Sequence, residues 1–287
     1  MAAHNVDLLF GCLHIEPDCR LDKASFAAYS RIFDFIDCRG YGHLLRAWNY
    51  VPQINGDEDG LERYVRFNMG RHDAFVAKER MIGTGTPAAS ALGSRGKQLT
   101  IYFMAAKQPG QFIENPRQTS AFNYPAQYGP RSPTFARAML MQADGETQLL
   151  ISGTSSIVGH VTLHAGDAAA QARETVANLL AVIAQARLAG FDASSPHARL
   201  LLKAYLRRPA DRGGPAAVGG ARQRRATRAV RDRDDRLSGG QTAARLLGVL
   251  GLSRRAAPGG LRVTHRGPTP ALIATLNSAL CSVTANG

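Results

Sequence analysis

The chain has 287 residues, of which 45% are hydrophobic, enough for one large or two modest domains with a real core. No apolar run is long enough to span a bilayer, and the first residues lack the pattern of a secretory signal, which argues against a membrane partner. The net charge is +13, but residues 1–208 carry +4 and residues 209–287 carry +9, so a basic surface for nucleic acid is not a property of the whole chain.

Residues 1–208 predict a single α+β domain. The predicted elements, in chain order, are a strand at 5–15, a helix at 23–38, a strand at 43–51, a helix at 61–78, a strand at 98–106, a hairpin of 136–142 with 148–152, a strand at 156–164, a helix at 168–189 and a strand at 200–207. Asp167 caps the last helix and Gly190 ends it. The second half lacks the helix and final strand that would match the first, and the absence of GxGxxG after a strand argues against a Rossmann fold.

The segment 114–138, ENPRQTSAFNYPAQYGPRSPTFARA, contains four prolines, three arginines and the rings of Phe122, Tyr124 and Tyr128. Each proline fixes its own φ and pushes the preceding residue toward extended conformations. We therefore predict a rigid, irregular loop that leads into the strand at 136–142. Rigid loops with Tyr and Arg can hold small anions, but composition alone favours a structural loop that is clamped on the core by its rings.

Residues 209–287 differ in composition from the rest of the chain. No aromatic residue follows Tyr205, no Lys follows Lys203 and no Glu follows Glu174. A segment rich in Gly, Ala, Arg and Pro cannot easily bury enough surface to offset its ordering entropy, so we predict an aberrant, disordered tail. Out-of-frame reading of a GC-rich gene is the favoured explanation, because an apolar strand runs straight into this composition. A natural basic tail that binds nucleic acid weakly is the alternative.

Cysteine and histidine give no sign of a metal site. The four cysteines form no CxxC pair and no zinc spacing, which is typical of a reduced, cytoplasmic protein. His160 and His164 would share one face of the predicted strand at 156–164, but no third ligand is evident. The glycines of 83–94 could cradle a phosphate, although they form no P-loop and a plain loop is the simpler interpretation.

Arginine is the residue type that points to a ligand, because its guanidinium grips carboxylates with fixed geometry. Most arginines are solvated surface charges. Arg137, in contrast, enters the apolar strand TFARAMLMQ, where an unpaired charge is costly, and Arg207 ends the strand LLLKAYLR. These two arginines are therefore the binding candidates that the pattern itself indicates.

Seven segments, in order along residues 8–207, resemble the chorismatase family. They are LLFG (8–11), GYGHLLRAWNYVPQIN (40–55), GLERYVRFNMGR (60–71), GTGTPAASALGS (83–94), the Pro-rich segment 114–138, SGTSSIVGH (152–160) and LLKAYLR (201–207). The WNY-PxIN, ENPRQ and YPxxYGP pieces are specific in combination.

The resemblance implies a RidA-like, chorismate-mutase-like α+β fold in two related halves, and chorismate as the small-molecule substrate. Family members release pyruvate and leave a hydroxybenzoate or a dihydroxy-cyclohexadiene acid, without a metal or organic cofactor. The matching motifs imply that the substrate is bound by the side chains of Tyr64, Arg71, Tyr124, Tyr128, Arg137 and Arg207. The resemblance leaves open whether the protein is a monomer or a trimer.

The sequence departs from the family at the general acid, a Glu on a late element that follows a Cys-Arg pair. No Glu follows Glu174, and the run at 243–247 is only a faint echo, so the catalytic residue is unassigned and we expect impaired turnover. The residues that precede LLFG in family members are also fewer here, which predicts a shortened N-terminus. The alternatives are a non-catalytic binder of a small cyclic carboxylate, nucleic-acid binding through the basic tail and, more remotely, a RidA-like imine hydrolase.

Overall fold

The structure is a computed structural model, which describes residues 1–143, 145–193, 198–206 and 244–252, with 198–200 and 244–252 described through their backbone alone. Its two five-stranded sheets and three helices confirm the α+β class. In this part of the chain, no helix has both the length and the apolarity to cross a membrane.

The first half of the described chain pairs one sheet with two helices. Its elements are β1 (Ala2–His4), β2 (Leu8–Ile15), α1 (Leu21–Cys38), β3 (His43–Pro52), β4 (Asp57–Glu58), β5 (Leu61–Glu62), α2 (Arg63–Ala77), β6 (Ala88–Ser94) and β7 (Leu99–Ala106). The sheet order is β1-β2-β7-β3-β6, with β3 and β6 parallel and the other neighbours antiparallel.

The helices α1 and α2 cover one face of the first sheet. Tyr29, Phe33 and Phe75 from the helices pack with Ile101 and Phe103 from β7 in the main core. Gly70 sets the distance between the helices, because a Cβ built there would lie 1.8 Å from the carbonyl oxygen of Asp22. The close crossing therefore requires glycine at this position.

The second half has one long helix against its sheet. Its elements are β8 (Gln111–Ile113), β9 (Ala138–Ala143), β10 (Glu146–Ser155), β11 (Ile157–Val158), β12 (Val161–Thr162), α3 (Ala168–Leu188), β13 (Ala198–Leu206) and β14 (Ala244–Leu252). The sheet order is β13-β14-β10-β9-β8, and all of these neighbours are antiparallel. Leu179, Val182 and Ala186 of α3 pack on Leu149 and Ile151 of β10.

The two sheets repeat one arrangement. In the first, β7 lies between β2 and β3 and is antiparallel to both; in the second, β14 lies between β10 and β13 and is antiparallel to both. The final strand that the second half was expected to lack is therefore present. This strand, β14, lies inside the segment predicted to be disordered. Its pairing with β10 and β13 satisfies its backbone hydrogen-bonding groups. The remaining residues of 207–287 lie outside the described part, so the frameshift stays a prediction.

Two predicted features of the sequence were wrong. The segment at 156–164 is not one strand but the two short strands β11 and β12, joined by a turn with Gly159 at φ 58°. His160 and His164 therefore do not share a strand face. The segment 83–94 is not a plain loop either, because its second half forms β6, which runs parallel to β3.

Candidate active site

The Pro-rich loop, residues 114–138, is irregular and packs on helix α2. It contains two short 3₁₀ turns, Ala121–Asn123 and Ala126–Tyr128, instead of longer helices or strands. Arg131 Nε donates to Asp73 Oδ1 of α2 at 3.1 Å. Gly129, at φ 134°, lies so close to α2 that an added Cβ would be 2.6 Å from Val65. The loop thus lies against the helix, and the predicted irregular conformation is confirmed, whereas its rigidity stays a prediction.

Arg137 is buried at the end of this loop, with 5% of its surface exposed. Its Nη2 donates to the carbonyl oxygen of Thr119 at 2.6 Å and to the hydroxyl of Tyr124 at 3.1 Å. Its guanidinium carbon lies 5.2 Å from the centre of the Phe135 ring. Among the described residues, Arg137 Nε has no hydrogen-bond partner. The side chain therefore presents a buried cation with an unused donor.

Glu114 bonds to the backbone of Arg137, and the ion pairs of the described residues do not include one between its carboxylate and the Arg137 guanidinium. Its Oε1 accepts the backbone N–H of Arg137 at 2.9 Å. Its Oε2 is buried and has no partner within the described ranges. The two unused groups, a donor on Arg137 and an acceptor on Glu114, leave the end of the loop able to receive a polar ligand.

Arg71, on helix α2, is a second buried cation. It is 2% exposed, and its guanidinium carbon lies 4.9 Å from the ring centre of Tyr29 and 5.4 Å from that of Phe75. Loss of hydration lowers the pKa of Arg71, and the neighbouring Tyr29 and Tyr64 oppose that shift. In the described part of the chain, its Nε and Nη2 have no hydrogen-bond partner. A guanidinium on aromatic rings without a carboxylate is unfavourable unless an anion joins it.

The other predicted site residues divide between these two groups. Tyr124 contacts Arg137 directly, and its ring centre lies 5.4 Å from that of Tyr128. Tyr128 is 40% exposed, and its hydroxyl lies 3.0 Å from His160 Nδ1. Tyr64 is half-buried beside Arg71. Arg207 lies outside the described residues. The structure thus brings Tyr124, Tyr128 and Arg137 together, and Tyr64 with Arg71, without a described contact that joins the two groups.

Several other arginines have carboxylate partners and contribute to the fold, among them Arg66, Arg117 and Arg131. Arg66 lies near Glu58 and Asp22, and Arg131 pairs with Asp73. Arg117 Nη2 lies 2.6 Å from Glu174 Oε1 and its Nη1 donates to Asn178 at 2.8 Å. Among the described residues, no group of His, Cys, Asp and Glu is arranged to hold a metal ion. Arg71 and Arg137 differ from these arginines, because they are buried without a carboxylate partner among the described residues.

The sequence reasoning missed a third such cation, Arg46 of β3. It is fully buried, and its Nε and Nη1 have no hydrogen-bond partner within the described part of the chain. Loss of hydration lowers the pKa of Arg46 to about 9. The sequence contained the same indication, because Arg46 interrupts the apolar run LLRAW just as Arg137 enters the apolar strand predicted at 136–142.

These features define a class: an α+β protein with two five-stranded sheets and with buried guanidinium groups that have no carboxylate partner among the described residues. Residues 1–105 match the family model "Chorismatase FkbO/Hyg5-like, N-terminal". A 3-hydroxybenzoate synthase of Streptomyces hygroscopicus is 38% identical over 218 residues, 73% of this chain and 64% of that protein. A chorismatase of Streptomyces rapamycinicus is 41% identical over 186 residues, 63% of this chain and 55% of that protein.

A crystal structure of a chorismatase superposes with a TM-score of 0.76 and 32% identity, covering 87% of this chain and 76% of the other. The chain belongs to the chorismatase family, which confirms the resemblance inferred from the seven segments. It spans between 55% and 64% of the length of these two curated relatives.

Proposed function

We propose that the protein is a chorismate lyase or hydrolase that cleaves the enolpyruvyl ether of chorismate. The products are pyruvate and a hydroxybenzoate, with 3-hydroxybenzoate expected, or a dihydroxy-cyclohexadiene acid. The names of its relatives support the reaction class. The observation that carries the proposal is the burial of Arg71 and Arg137 without carboxylate partners among the described residues.

Two carboxylates on the substrate account for these two cations. A bound carboxylate would accept from the unused Nε of Arg137, or from Nε and Nη2 of Arg71, and would offset the cost of burying each charge. Nη2 of Arg137 donates to both the Tyr124 hydroxyl and the Thr119 carbonyl oxygen, which orients the guanidinium. We assign Tyr64 and Tyr128 to the walls of the same site, and Arg207 to it on the strength of its motif.

Cleavage of the ether requires a proton on the methylene carbon of the enolpyruvyl group. Protonation creates an oxocarbenium-like centre. Water can then add to that centre, and collapse of the hemiketal releases pyruvate and the dihydroxy-cyclohexadiene acid. Alternatively, the neighbouring ring hydroxyl displaces pyruvate from the ring, and loss of a ring proton with opening of the resulting epoxide gives 3-hydroxybenzoate. A carboxylic acid of raised pKa would deliver the first proton. The family's late Glu has no counterpart in this sequence, in which Glu174 is the last glutamate. We therefore expect turnover about 10²–10⁴-fold below that of a chorismatase with the acid in place.

The missing glutamate also supports a second candidate, a non-catalytic protein that binds a small cyclic carboxylate. The two candidates share the binding residues and differ only in turnover. A lyase or hydrolase releases pyruvate continuously, whereas a binder leaves chorismate unchanged.

The test combines calorimetry with a coupled assay for pyruvate, both with chorismate and the full chain. Saturable binding that is weakened in Arg137→Gln, together with steady pyruvate release, supports the enzyme. Binding without release supports the binder. The matched control is Arg131→Gln, which removes the exposed ion pair between the same loop and Asp73. It should change neither the chorismate affinity nor the rate of pyruvate release. Absence of chorismate binding to the folded chain would overturn both candidates.

A further inference from the structure

A fully buried amide, that of Asn178, lies where helix α3 meets the start of the Pro-rich loop. Its Nδ2 donates to the carbonyl oxygens of Ser155 at 3.0 Å and Ile157 at 2.8 Å. Its Oδ1 accepts from Nη1 of Arg117 at 2.8 Å. The loop also reaches the same strand, because Gln118 Nε2 donates to the carbonyl oxygen of Ile157 at 3.0 Å. Asparagine is a poor helix former and its amide is costly to bury, so these contacts account for its place in the middle of α3.

The start of the loop is bonded as well to the turn between β11 and β12. The backbone N–H of Thr119 donates to the carbonyl oxygen of Gly159 at 2.8 Å. The N–H of Gly159 donates in turn to the carbonyl oxygen of Arg117 at 2.8 Å. The peptide groups before and after residue 118 are therefore held in place from the side of α3 and β11.

Thr119 connects this arrangement to the candidate active site. Its carbonyl oxygen accepts from Nη2 of Arg137 at 2.6 Å, the shorter of the two bonds that this nitrogen makes to Thr119 and Tyr124. The orientation of the Arg137 guanidinium thus depends on where the Thr119 carbonyl points. A continuous path of hydrogen bonds and backbone leads from the Asn178 amide to the cation.

We propose that Asn178 is a positioning residue for chorismate. It holds the start of the Pro-rich loop, and the Thr119 carbonyl oxygen keeps the Arg137 guanidinium in the orientation that receives a carboxylate. This inference rests on the proposed function, because it concerns the affinity for that substrate. An amide that serves only the stability of the fold would change the melting temperature and leave the affinity of the folded protein as it is.

Asn178→Ala tests the proposal in the full chain. Calorimetry well below the melting temperature should show chorismate affinity reduced about tenfold or more, because the guanidinium is no longer held in place. The matched control is Thr175→Ala, one turn earlier on α3. Thr175 is also fully buried, but its hydroxyl donates within the helix, to the carbonyl oxygen of Gln171 at 2.7 Å. This control should lower the melting temperature and leave the affinity unchanged.

The two ways to fail are distinct. If the wild type and folded Asn178→Ala bind chorismate equally, the positioning role is overturned and the proposed function stands. The same holds if Thr175→Ala loses as much affinity as Asn178→Ala does. If the wild type binds no chorismate, both are overturned.

A double-mutant cycle shows whether Asn178 acts through Arg137. In the Arg137→Gln background, Asn178→Ala should weaken chorismate binding little further, because the group that it positions is already gone. Losses that add in full would mean that Asn178 affects binding by another route, and would overturn the proposal.

A second variant covers the case in which Asn178→Ala does not fold, as judged by circular dichroism. Arg117→Gln removes the loop's donor to Asn178 Oδ1, and the Arg117 side chain is 34% exposed, so the fold should tolerate the change. We expect a severalfold loss of chorismate affinity that disappears in the Arg137→Gln background. Arg131→Gln removes the same charge from the same loop, and equal effects of Arg117→Gln and Arg131→Gln would overturn the proposal.

Discussion

The hydroxyl oxygen of Ser152 accepts the backbone N–H of Ala89 at 2.8 Å, and this bond joins the second sheet to the edge strand of the first. The same hydroxyl donates to the carbonyl oxygen of Ala136, immediately before Arg137. Ser152 is 1% exposed, so water cannot replace either bond. One small side chain thus fixes β6, β10 and the end of the Pro-rich loop relative to one another.

Ser152→Ala should therefore destabilise the fold by about 1–3 kcal/mol, because it leaves a buried N–H and a buried carbonyl without partners. Urea unfolding measures the change. Ser30→Ala is the matched control, since the Ser30 hydroxyl is buried but has no partner in the described part of the chain. Equal effects of the two substitutions would contradict the role of Ser152.

Tyr124→Phe should weaken chorismate binding severalfold, because it removes the hydroxyl to which Arg137 Nη2 donates at 3.1 Å and leaves the guanidinium less firmly oriented. Calorimetry measures the affinity. The control is Tyr41→Phe, which removes a phenol hydroxyl that donates to the carbonyl oxygen of Asn5. It should leave the affinity for chorismate unchanged. If Tyr124→Phe binds as the wild type does, Tyr124 has no part in the site.

Gly70→Ala should destabilise the protein by at least about 1–3 kcal/mol, although alanine favours helices more than glycine does. The new Cβ would meet the Asp22 carbonyl oxygen and Ser25 Oγ, at 1.8 and 2.3 Å, so α1 and α2 must separate. Thermal unfolding measures the loss. Gly42→Ala, whose Cβ would have its nearest neighbour at 3.9 Å, should be tolerated. A stabilised Gly70→Ala protein would show that the helices are not held at this distance.

The N-cap of α3 gives a pH-dependent contribution to stability. Asp167 Oδ1 accepts the N–H of Ala170 at 2.9 Å, and this bond is the main reason that the pKa of Asp167 falls below its ordinary value of 3.8. A carboxyl group with a depressed folded pKa stabilises the fold above its unfolded pKa, and that stabilisation is lost as the pH falls through the folded pKa.

The difference in melting temperature between wild type and Asp167→Ala should therefore be constant near neutral pH and should shrink below about pH 3.8. Asp167→Asn keeps a capping oxygen that does not titrate, so its difference from Asp167→Ala should persist at low pH. A wild-type difference that does not change with pH would mean that the carboxylate is not the cap.

The helices were the easiest elements to predict, because local spacing determines them. The helix expected at 23–38 is α1, Leu21–Cys38, and the helix expected at 168–189 is α3, Ala168–Leu188. In contrast, β6 was missed. Its sequence, AASALGS, has small side chains and no alternation, and its partner β3 lies far away in the chain, so only tertiary pairing reveals it.

The candidate site was predictable where a charge interrupts an apolar strand. That rule identified Arg137, and the same rule would have identified Arg46, which the reasoning passed over. Arg66 shows the limit of the rule on helices: it is buried as well, but it lies among Glu58, Asp22 and Asp59, which are distant in sequence or on a different element. Which arginines lack a carboxylate therefore depends on contacts that the sequence does not display.

The place of β14 in the second sheet affects the order in which a growing chain can fold. The first sheet is complete once residue 106 has left the ribosome, so that half can fold early. The second sheet cannot be completed until residue 252 has left the ribosome, because β14 lies between β10 and β13. Until then, β10 and β13 lack the strand with which both pair. During that interval two strand edges are exposed to other nascent chains, and the late half is where misassembly would begin.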